Sequence, residues 1–181
     1  LASICEARGI KNFVFISSVS VYGKSFGSAI NETIECKPNS VYGESKFKSE
    51  KHIHNWVMKD SKRSQISLRL PLILGPNPPG NLGKLIASIQ SGKHIYLKGN
   101  EARKSIVFAS DVASFISNWL KNDEKKSGTI NLTSGEAPTF NWIENTIRQY
   151  TGSKFFFAFP VGLLWKTIVF LKHRLSISIP V

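Results

Sequence analysis

Short apolar runs without polar alternation are the feature that most constrains the fold of this chain. Residues 12–17 (NFVFIS) are rich in strand-forming side chains and do not alternate, which is typical of a strand covered on both faces in a parallel sheet. The predicted strands are residues 12–17, 65–70, 94–98, 104–108, 128–132 and 155–159, and the predicted helices are residues 1–8, 41–59, 82–91, 111–121, 140–150 and 160–171. Strands that alternate with helices in this way predict an α/β fold with a mainly parallel sheet.

Three residues are predicted to set the ends of these helices. Gly9 follows the first helical segment and is a good C-cap residue, because glycine adopts the left-handed backbone conformation without a steric penalty. Ser110 and Thr139 precede later helical segments, where a side-chain oxygen can accept a hydrogen bond from an unpaired backbone N–H. We therefore expect Ser110 and Thr139 to be N-caps.

The charge balance is strongly basic, with a formal net charge of +12, which favours anionic partners in general. The Lys and Arg residues are scattered as singles or pairs, and the densest group, residues 121–126, also holds Asp123 and Glu124. No known nucleic-acid-binding module accompanies this charge, so we expect no nucleic-acid partner.

The two cysteines, Cys5 and Cys36, belong to no CxxC pair and have no histidine at ligand spacing. The sequence therefore predicts no metal site. Isolated cysteines in an enzyme-like chain indicate reduced thiols and a cytoplasmic setting.

An apolar segment at residues 155–171 (FFFAFPVGLLWKTIVFL) raises the question of a membrane span. Pro160, Gly162 and Lys166 interrupt it, and about 17 residues is at the short limit for crossing a bilayer. We expect a core strand followed by a packed helix. Peripheral contact with a membrane surface is the alternative.

Tyr42 and Lys46 form a YxxxK pair at the start of a predicted helix. A spacing of four places both side chains on one face of the helix. A nearby ammonium favours a phenolate over a phenol, so Tyr42 could act as a general base. Since Tyr and Lys often fall four apart by chance, the pair alone is weak evidence.

Two serines, Ser17 and Ser18, end the first predicted strand, and Tyr22 and Gly23 follow them. A hydroxyl at the carboxyl end of a parallel strand points into the crevice where such sheets bind ligands. The alternative for both serines is ordinary turn capping.

The three segments FVFISSVSVYG, YGESKFKSE and LRLPLILGP occur in this order along the chain. In sequence and order they resemble the extended short-chain dehydrogenase/reductases, the NAD-dependent epimerase/dehydratase family, and above all its nucleotide-sugar 4-epimerases. The resemblance covers essentially the whole chain and weakens after Gly152.

The resemblance implies a role for each residue that matches a family motif. The implied catalytic residues are Ser18, which would hydrogen-bond a sugar hydroxyl, Tyr42, the acid/base, and Lys46, which would hold the nicotinamide ribose. The implied cofactor contacts are Ser17, Tyr42, Lys46, Pro71, Leu72 and Ile73. The implied substrate contacts are Ser18, Tyr42, Asn81, Leu97, Arg103 and Lys104. Lys104 stands where the family often has an Arg, so the charge is kept but the bidentate fork is lost.

The resemblance also implies a division of the chain. Residues 1–74 would be the second half of the NAD-binding Rossmann domain, with the later strands of a doubly wound parallel sheet. Residues 75–181 would be mainly a small α/β substrate-binding part, with residues 103–135 returning to the sheet. No GxxGxxG turn occurs in the sequence, so we expect this chain to be a carboxyl-terminal fragment. The strand at residues 12–17 should then expose an edge that favours self-association.

The activity implied is NAD-dependent 4-epimerisation of a nucleotide-linked or lipid-diphosphate-linked sugar. An N-acetylhexosamine for surface polysaccharide fits best, NADP stays open as the cofactor, and a homodimer is expected. Val19 and Ser20 follow the catalytic serine where sugar dehydratases carry Asp-Glu, which disfavours dehydration. A reductase or dehydratase of the same family, or a non-catalytic dinucleotide-binding relative, are the alternatives.

Overall fold

The computed structural model describes residues 2–24, 27, 29–78, 80–153 and 157–160. The chain divides into two compact units. Unit 1 comprises Leu1–Gly75 and Ser105–Glu136, and unit 2 comprises Pro76–Lys104 and Ala137–Val181.

Helices and strands alternate along the described chain, as the sequence predicts. The strands are β1 (Asn12–Ser18), β2 (Ser64–Leu70), β3 (Leu72–Leu74), β4 (Ile95–Lys98), β5 (Ile106–Phe108), β6 (Gly128–Asn131) and β7 (Phe157–Pro160). The helices are α1 (Ala2–Ala7), α2 (Val41–Val57), α3 (Gly80–Gln90), α4 (Ala109–Lys121) and α5 (Phe140–Thr151), with a 3₁₀ helix at Val19–Tyr22.

Unit 1 is built on a parallel sheet in the order β1-β2-β6. β1 and β2 pair over their whole length, from Asn12 opposite Ser64 to Ser18 opposite Leu70. A second parallel pair joins β3 to β5. The predicted α/β class with parallel strands is confirmed.

β2 is buried on both faces, and the two faces differ in chemistry. Ile66, Leu68 and Leu70 are at most 5% exposed and form the core with Val107 and Val112. The alternate residues of the strand are buried too, although they are polar: Gln65, Ser67 and Arg69. Because the side chains of a strand alternate between faces, β2 carries an apolar stripe on one side and a buried polar stripe on the other.

β1 is less covered than the sequence analysis predicts. Ser17 is the only buried residue of the strand, and Ile16 is 38% exposed. The reason is its position, because within the described residues β1 pairs with β2 along one edge only.

Two of the three predicted helix ends are confirmed. Gly9 has φ +62°, and Ile10 N donates to Cys5 O at 2.9 Å across the end of α1. Thr139 caps α5, its hydroxyl accepting from Trp142 N at 3.1 Å.

The prediction that Ser110 caps α4 is wrong. The helix begins at Ala109, and Phe108 is its N-cap residue, with an extended backbone at φ −82° and ψ 141°. Phe108 is held extended by pairing opposite Leu74 in the β3–β5 ladder. The helix therefore starts directly after the strand, and Ser110 lies inside its first turn.

Unit 2 contains a parallel pair, β4 with β7, together with α3 and α5. β7 corresponds to the strand predicted at residues 155–159. The helix predicted at residues 160–171 lies outside the described residues after Pro160. Within the part of the chain that the structure describes, no helix has the length and apolar character needed to cross a bilayer.

Candidate active site

Ser18 lies where β1 ends and the 3₁₀ helix begins. Its backbone is extended, and its side-chain oxygen accepts from Ser20 N at 3.2 Å and from the Ser20 hydroxyl at 3.0 Å. The turn-capping role weighed for this serine is therefore present. In both bonds Ser18 Oγ accepts, so its own hydroxyl hydrogen can still be donated to a ligand.

The start of α2 is fixed by a cap and by a close approach. Ser40 accepts from Gly43 N at 3.1 Å and so ends the loop before the helix. A Cβ atom built on Gly43 would lie 2.6 Å from the Ser20 carbonyl oxygen. The first turn of α2 therefore packs directly on the 3₁₀ helix that follows Ser18, which requires glycine beside Tyr42.

Lys46 links α2 to the carboxyl end of β1. Its ammonium donates to Ile16 O at 2.9 Å and lies 5.6 Å from the centre of the Tyr42 ring. Tyr42 itself is 57% exposed. The predicted Tyr42 and Lys46 pair thus faces the strand end that carries Ser18, with the phenol side chain open to a ligand.

Pro71, Leu72 and Ile73 follow β2 at the same edge of the sheet. Ser18 is opposite Leu70 in the register of β1 and β2, so Pro71 comes directly after the neighbouring strand end. Ile73 is 39% exposed, whereas Pro71 and Leu72 are half-buried. The structure therefore brings these predicted cofactor contacts to the strand end where Ser18 lies.

The side chain of Ser17 is buried, whereas a side chain that contacts a cofactor is expected to be accessible. It is 2% exposed, and its hydroxyl donates to Glu50 Oε1 at 2.5 Å. Any contact from Ser17 to a ligand at the surface would therefore have to use its backbone.

The remaining predicted residues belong to unit 2. Arg103 donates from its guanidinium to Ala137 O at 2.9 Å, and Lys104 N donates to Pro138 O at 3.0 Å. Arg103 through its side chain and Lys104 through its backbone thus contact the same segment, residues 137–138. Asn81 lies in the first turn of α3, and Leu97 lies in β4.

A family model matches this chain over residues 1–133, and its description is NAD dependent epimerase/dehydratase family. The chain belongs to this family. The resemblance drawn from the three sequence motifs is thereby confirmed.

Related proteins and solved structures agree with the assignment. N-acetyl-alpha-D-glucosaminyl-diphospho-ditrans,octacis-undecaprenol 4-epimerase of Escherichia coli O157:H7 is 28% identical over 163 residues, which are 88% of this chain and 49% of that protein. The structure of UDP-N-acetylglucosamine 4-epimerase from Bacillus cereus is 27% identical, with a TM-score of 0.72 over 88% of this chain and 56% of that one. UDP-glucose 4-epimerase of Thermus thermophilus, in complex with NAD, shares the fold at 19% identity, with a TM-score of 0.72 over 88% of this chain and 54% of that one. The chain spans about half the length of these relatives.

A buried polar network next to the site was missed by sequence reasoning. The Arg69 guanidinium donates to both carboxylate oxygens of Glu50, at 2.7 and 3.1 Å, and to the Tyr22 hydroxyl at 2.9 Å. Burial by itself lowers the pKa of Arg69, but the hydrogen bonds to Glu50 and Tyr22 outweigh it and raise that pKa. The available signal was that all three residues lie in the motifs that identify the family.

Among the residues that the structure describes, no three His, Cys, Asp or Glu side chains come together in a way that could hold a metal ion. Cys5 is buried and Cys36 half-buried, and both thiols are free.

Proposed function

We propose that this chain carries the catalytic Ser–Tyr–Lys part of an NAD-dependent sugar 4-epimerase. The single observation behind this is the placement of Lys46. Its bond to Ile16 O holds the Tyr42 face of α2 against the carboxyl end of β1, next to Ser18. Ligands of open parallel sheets bind outside the carboxyl ends of their strands, so these three side chains occupy the right edge for chemistry.

The residues at this edge fit the nicotinamide end of a dinucleotide. The Lys46 ammonium can donate to ribose hydroxyls, since it carries three N–H donors. The exposed side chain of Ile73 provides apolar surface for a flat ring. When bound, NAD supplies reversible hydride transfer to and from the sugar carbon.

The remaining chemistry belongs to the side chains. The Tyr42 oxygen takes the proton of the sugar C4 hydroxyl and later returns it, acting first as base and then as acid. Ser18 donates a hydrogen bond to the same sugar oxygen and so fixes its position. Turning the 4-keto sugar between the two steps presents its opposite face and inverts the configuration at C4.

The proposed substrate is an N-acetylhexosamine linked through diphosphate to a nucleotide or to a lipid. Two relatives support the sugar, because their names specify N-acetylglucosamine, one on an undecaprenyl diphosphate and one on UDP. Arg103 and Lys104 supply positive charge suited to a diphosphate. We further propose that the complete protein is a cytoplasmic homodimer. If its substrate is lipid-linked, it must also contact a membrane surface.

The test is the substitution Tyr42→Phe in the complete product of the gene that encodes this chain. Removing a general acid/base should lower kcat by about 100-fold or more, whereas NAD affinity should stay unchanged. Substrates are UDP-N-acetylglucosamine and the undecaprenyl-diphosphate-linked sugar, with C4 epimers separated by chromatography. Tyr150→Phe is the matched control, since Tyr150 is 90% exposed on α5. Unchanged turnover in Tyr42→Phe would refute the assigned role.

A further inference from the structure

The face of α2 that carries Tyr42 and Lys46 continues to a buried carboxylate. Tyr42, Lys46 and Glu50 are spaced four apart, so they lie in one row along the helix. Glu50 is 6% exposed, and Oε1 accepts from the Ser17 hydroxyl at 2.5 Å. At 1.5 Å per residue it lies about 6 Å below Lys46 along the helix axis. The face of α2 that carries Tyr42 and Lys46 is thus also bound to β1 through the hydrogen bond between Glu50 and Ser17.

Arg69 connects this carboxylate to the other segments of the site. It lies on β2 opposite Ser17, and its guanidinium stacks 4.9 Å from the centre of the Tyr22 ring while donating to the Tyr22 hydroxyl. Tyr22 is 2% exposed at the end of the 3₁₀ helix, and its hydroxyl donates to Asn131 Oδ1 at 2.8 Å. A continuous chain of hydrogen bonds therefore runs from α2 to β6.

We propose that Glu50, Arg69 and Tyr22 are positioning residues for the reaction, an inference that rests on the proposed function. They set the rotation and height of α2 over β1, and with them the distances among Tyr42, Lys46 and Ser18. None of the three touches the reacting atoms. Their effect on catalysis passes through the backbone elements that carry the catalytic side chains.

The connectivity of the network supports positioning over simple core filling. Ser17 directly precedes Ser18, Tyr22 ends the helix that Ser18 caps, and Arg69 lies two residues before Pro71. Every segment that supplies the proposed catalytic or cofactor contacts in unit 1 is therefore tied to one ion pair. An apolar core would fill the same space but would not fix orientation, whereas a bidentate Arg–carboxylate pair does.

A second buried polar pair on β2 provides the matched control. Ser67 is 1% exposed and donates to Gln65 Oε1 at 3.0 Å. Gln65 in turn donates to Gly128 O, on β6. This pair is as buried as the proposed network, yet its hydrogen bonds join only β2 and β6. Ser67→Ala removes a buried hydrogen bond, and the side-chain hydrogen bonds of this pair connect to no element that carries a catalytic residue.

The experiment compares Tyr22→Phe, Glu50→Gln and Ser67→Ala in the complete gene product, well below each melting temperature. Tyr22→Phe removes only a hydroxyl and keeps the ring, so it is the variant that should retain the fold. We expect kcat to fall about 10- to 100-fold in Tyr22→Phe and Glu50→Gln, since small misplacements of catalytic groups have effects of this size. The KM for the sugar and the affinity for NAD should be unchanged in both variants. The kcat of Ser67→Ala should equal that of the parent enzyme. The double variant should lose no more than the worse single variant, because both act through Arg69.

Two outcomes decide against the inference. Equal kcat in Tyr22→Phe and Ser67→Ala, with an active parent, would overturn it and leave the proposed function intact. An inactive parent would instead refute the proposed function, and amide hydrogen exchange over residues 41–46 then decides the inference. Faster exchange in Tyr22→Phe than in Ser67→Ala supports positioning of α2, and equal exchange overturns it.

Discussion

Gly43 shows how one missing side chain can define a site. It lies between Tyr42 and the rest of α2, and a Cβ atom there would lie 2.6 Å from Ser20 O and 3.2 Å from the Pro38 side chain. Backbone cannot yield as a flexible side chain can. The helix must therefore move away from the 3₁₀ helix if this residue gains a methyl group.

We predict that Gly43→Ala destabilises the fold by about 1–3 kcal/mol, as overpacking does, and lowers kcat by displacing Tyr42 from Ser18. Urea unfolding and turnover measure the two effects. Gly128→Ala is the control, because a Cβ at Gly128 would have no neighbour within 4 Å. Equal stability of the two variants would show that α2 and the 3₁₀ helix do not pack as described.

Cys36 gives a prediction that depends on pH. Burial raises the pKa of its thiol, while the charge of Arg69 acts in the opposite direction and that of Glu50 raises the pKa further. A raised pKa means less thiolate at any given pH, and the thiolate is the reactive form. Alkylation of Cys36 by iodoacetamide should therefore be slow at neutral pH. Its rate should increase only at pH values above those at which an ordinary thiol ionises. Peptide mass spectrometry from pH 7 to 10 measures this, and rapid reaction at pH 7 would contradict it.

At the scale of elements, α1, β1 and α2 leave a groove between them. This groove of about 490 Å³ is lined by residues of α1, β1 and α2, including Cys5, Phe13, Ile53 and Trp56. Trp56 Nε1 is buried there and has no hydrogen-bond partner among the described residues. Phe13 and Phe15 of β1 line this groove, and among the described strands β1 pairs with β2 alone, so its other edge has no partner there.

We predict that residues 1–181 expressed alone self-associate. An open strand edge next to apolar surface favours pairing with another chain. Light scattering after size-exclusion chromatography should show a mass that increases with concentration. A monomer that unfolds cooperatively at high concentration would contradict the prediction.

Element types were predictable from the sequence because they depend on local patterns. NFVFIS and QISLRL became β1 and β2, and the helical spacing at residues 41–59 became α2. Features that depend on a distant partner alone, without a local pattern, were missed. β3 follows Pro71 and exists because Leu72–Leu74 pairs with Ile106–Phe108, and the same pairing moved the start of α4 ahead of Ser110.

At the scale of the whole molecule, the motifs identified the family but did not predict the buried polar network of Glu50, Arg69 and Tyr22. The resemblance of their motifs to the family implied that Ser18, Tyr42 and Lys46 are catalytic, and in the structure Tyr42 and Lys46 lie on a helix held against the strand end that carries Ser18. The pairing of Glu50 with Arg69 and Tyr22 could not be inferred in this way. A buried ion pair is defined by which faces of α2 and β2 meet, and the sequence pattern alone does not encode that contact.

The measurement that tests the account most directly follows the hydrogen at C4 of the sugar. UDP-N-acetylglucosamine carrying deuterium at C4 is incubated with the complete gene product and NAD in ordinary water, and the products are analysed by NMR. The account predicts the C4 epimer with its deuterium retained, because the hydride leaves and returns within one active site. Loss of deuterium to solvent, or accumulation of a dehydrated or permanently reduced sugar, would contradict it.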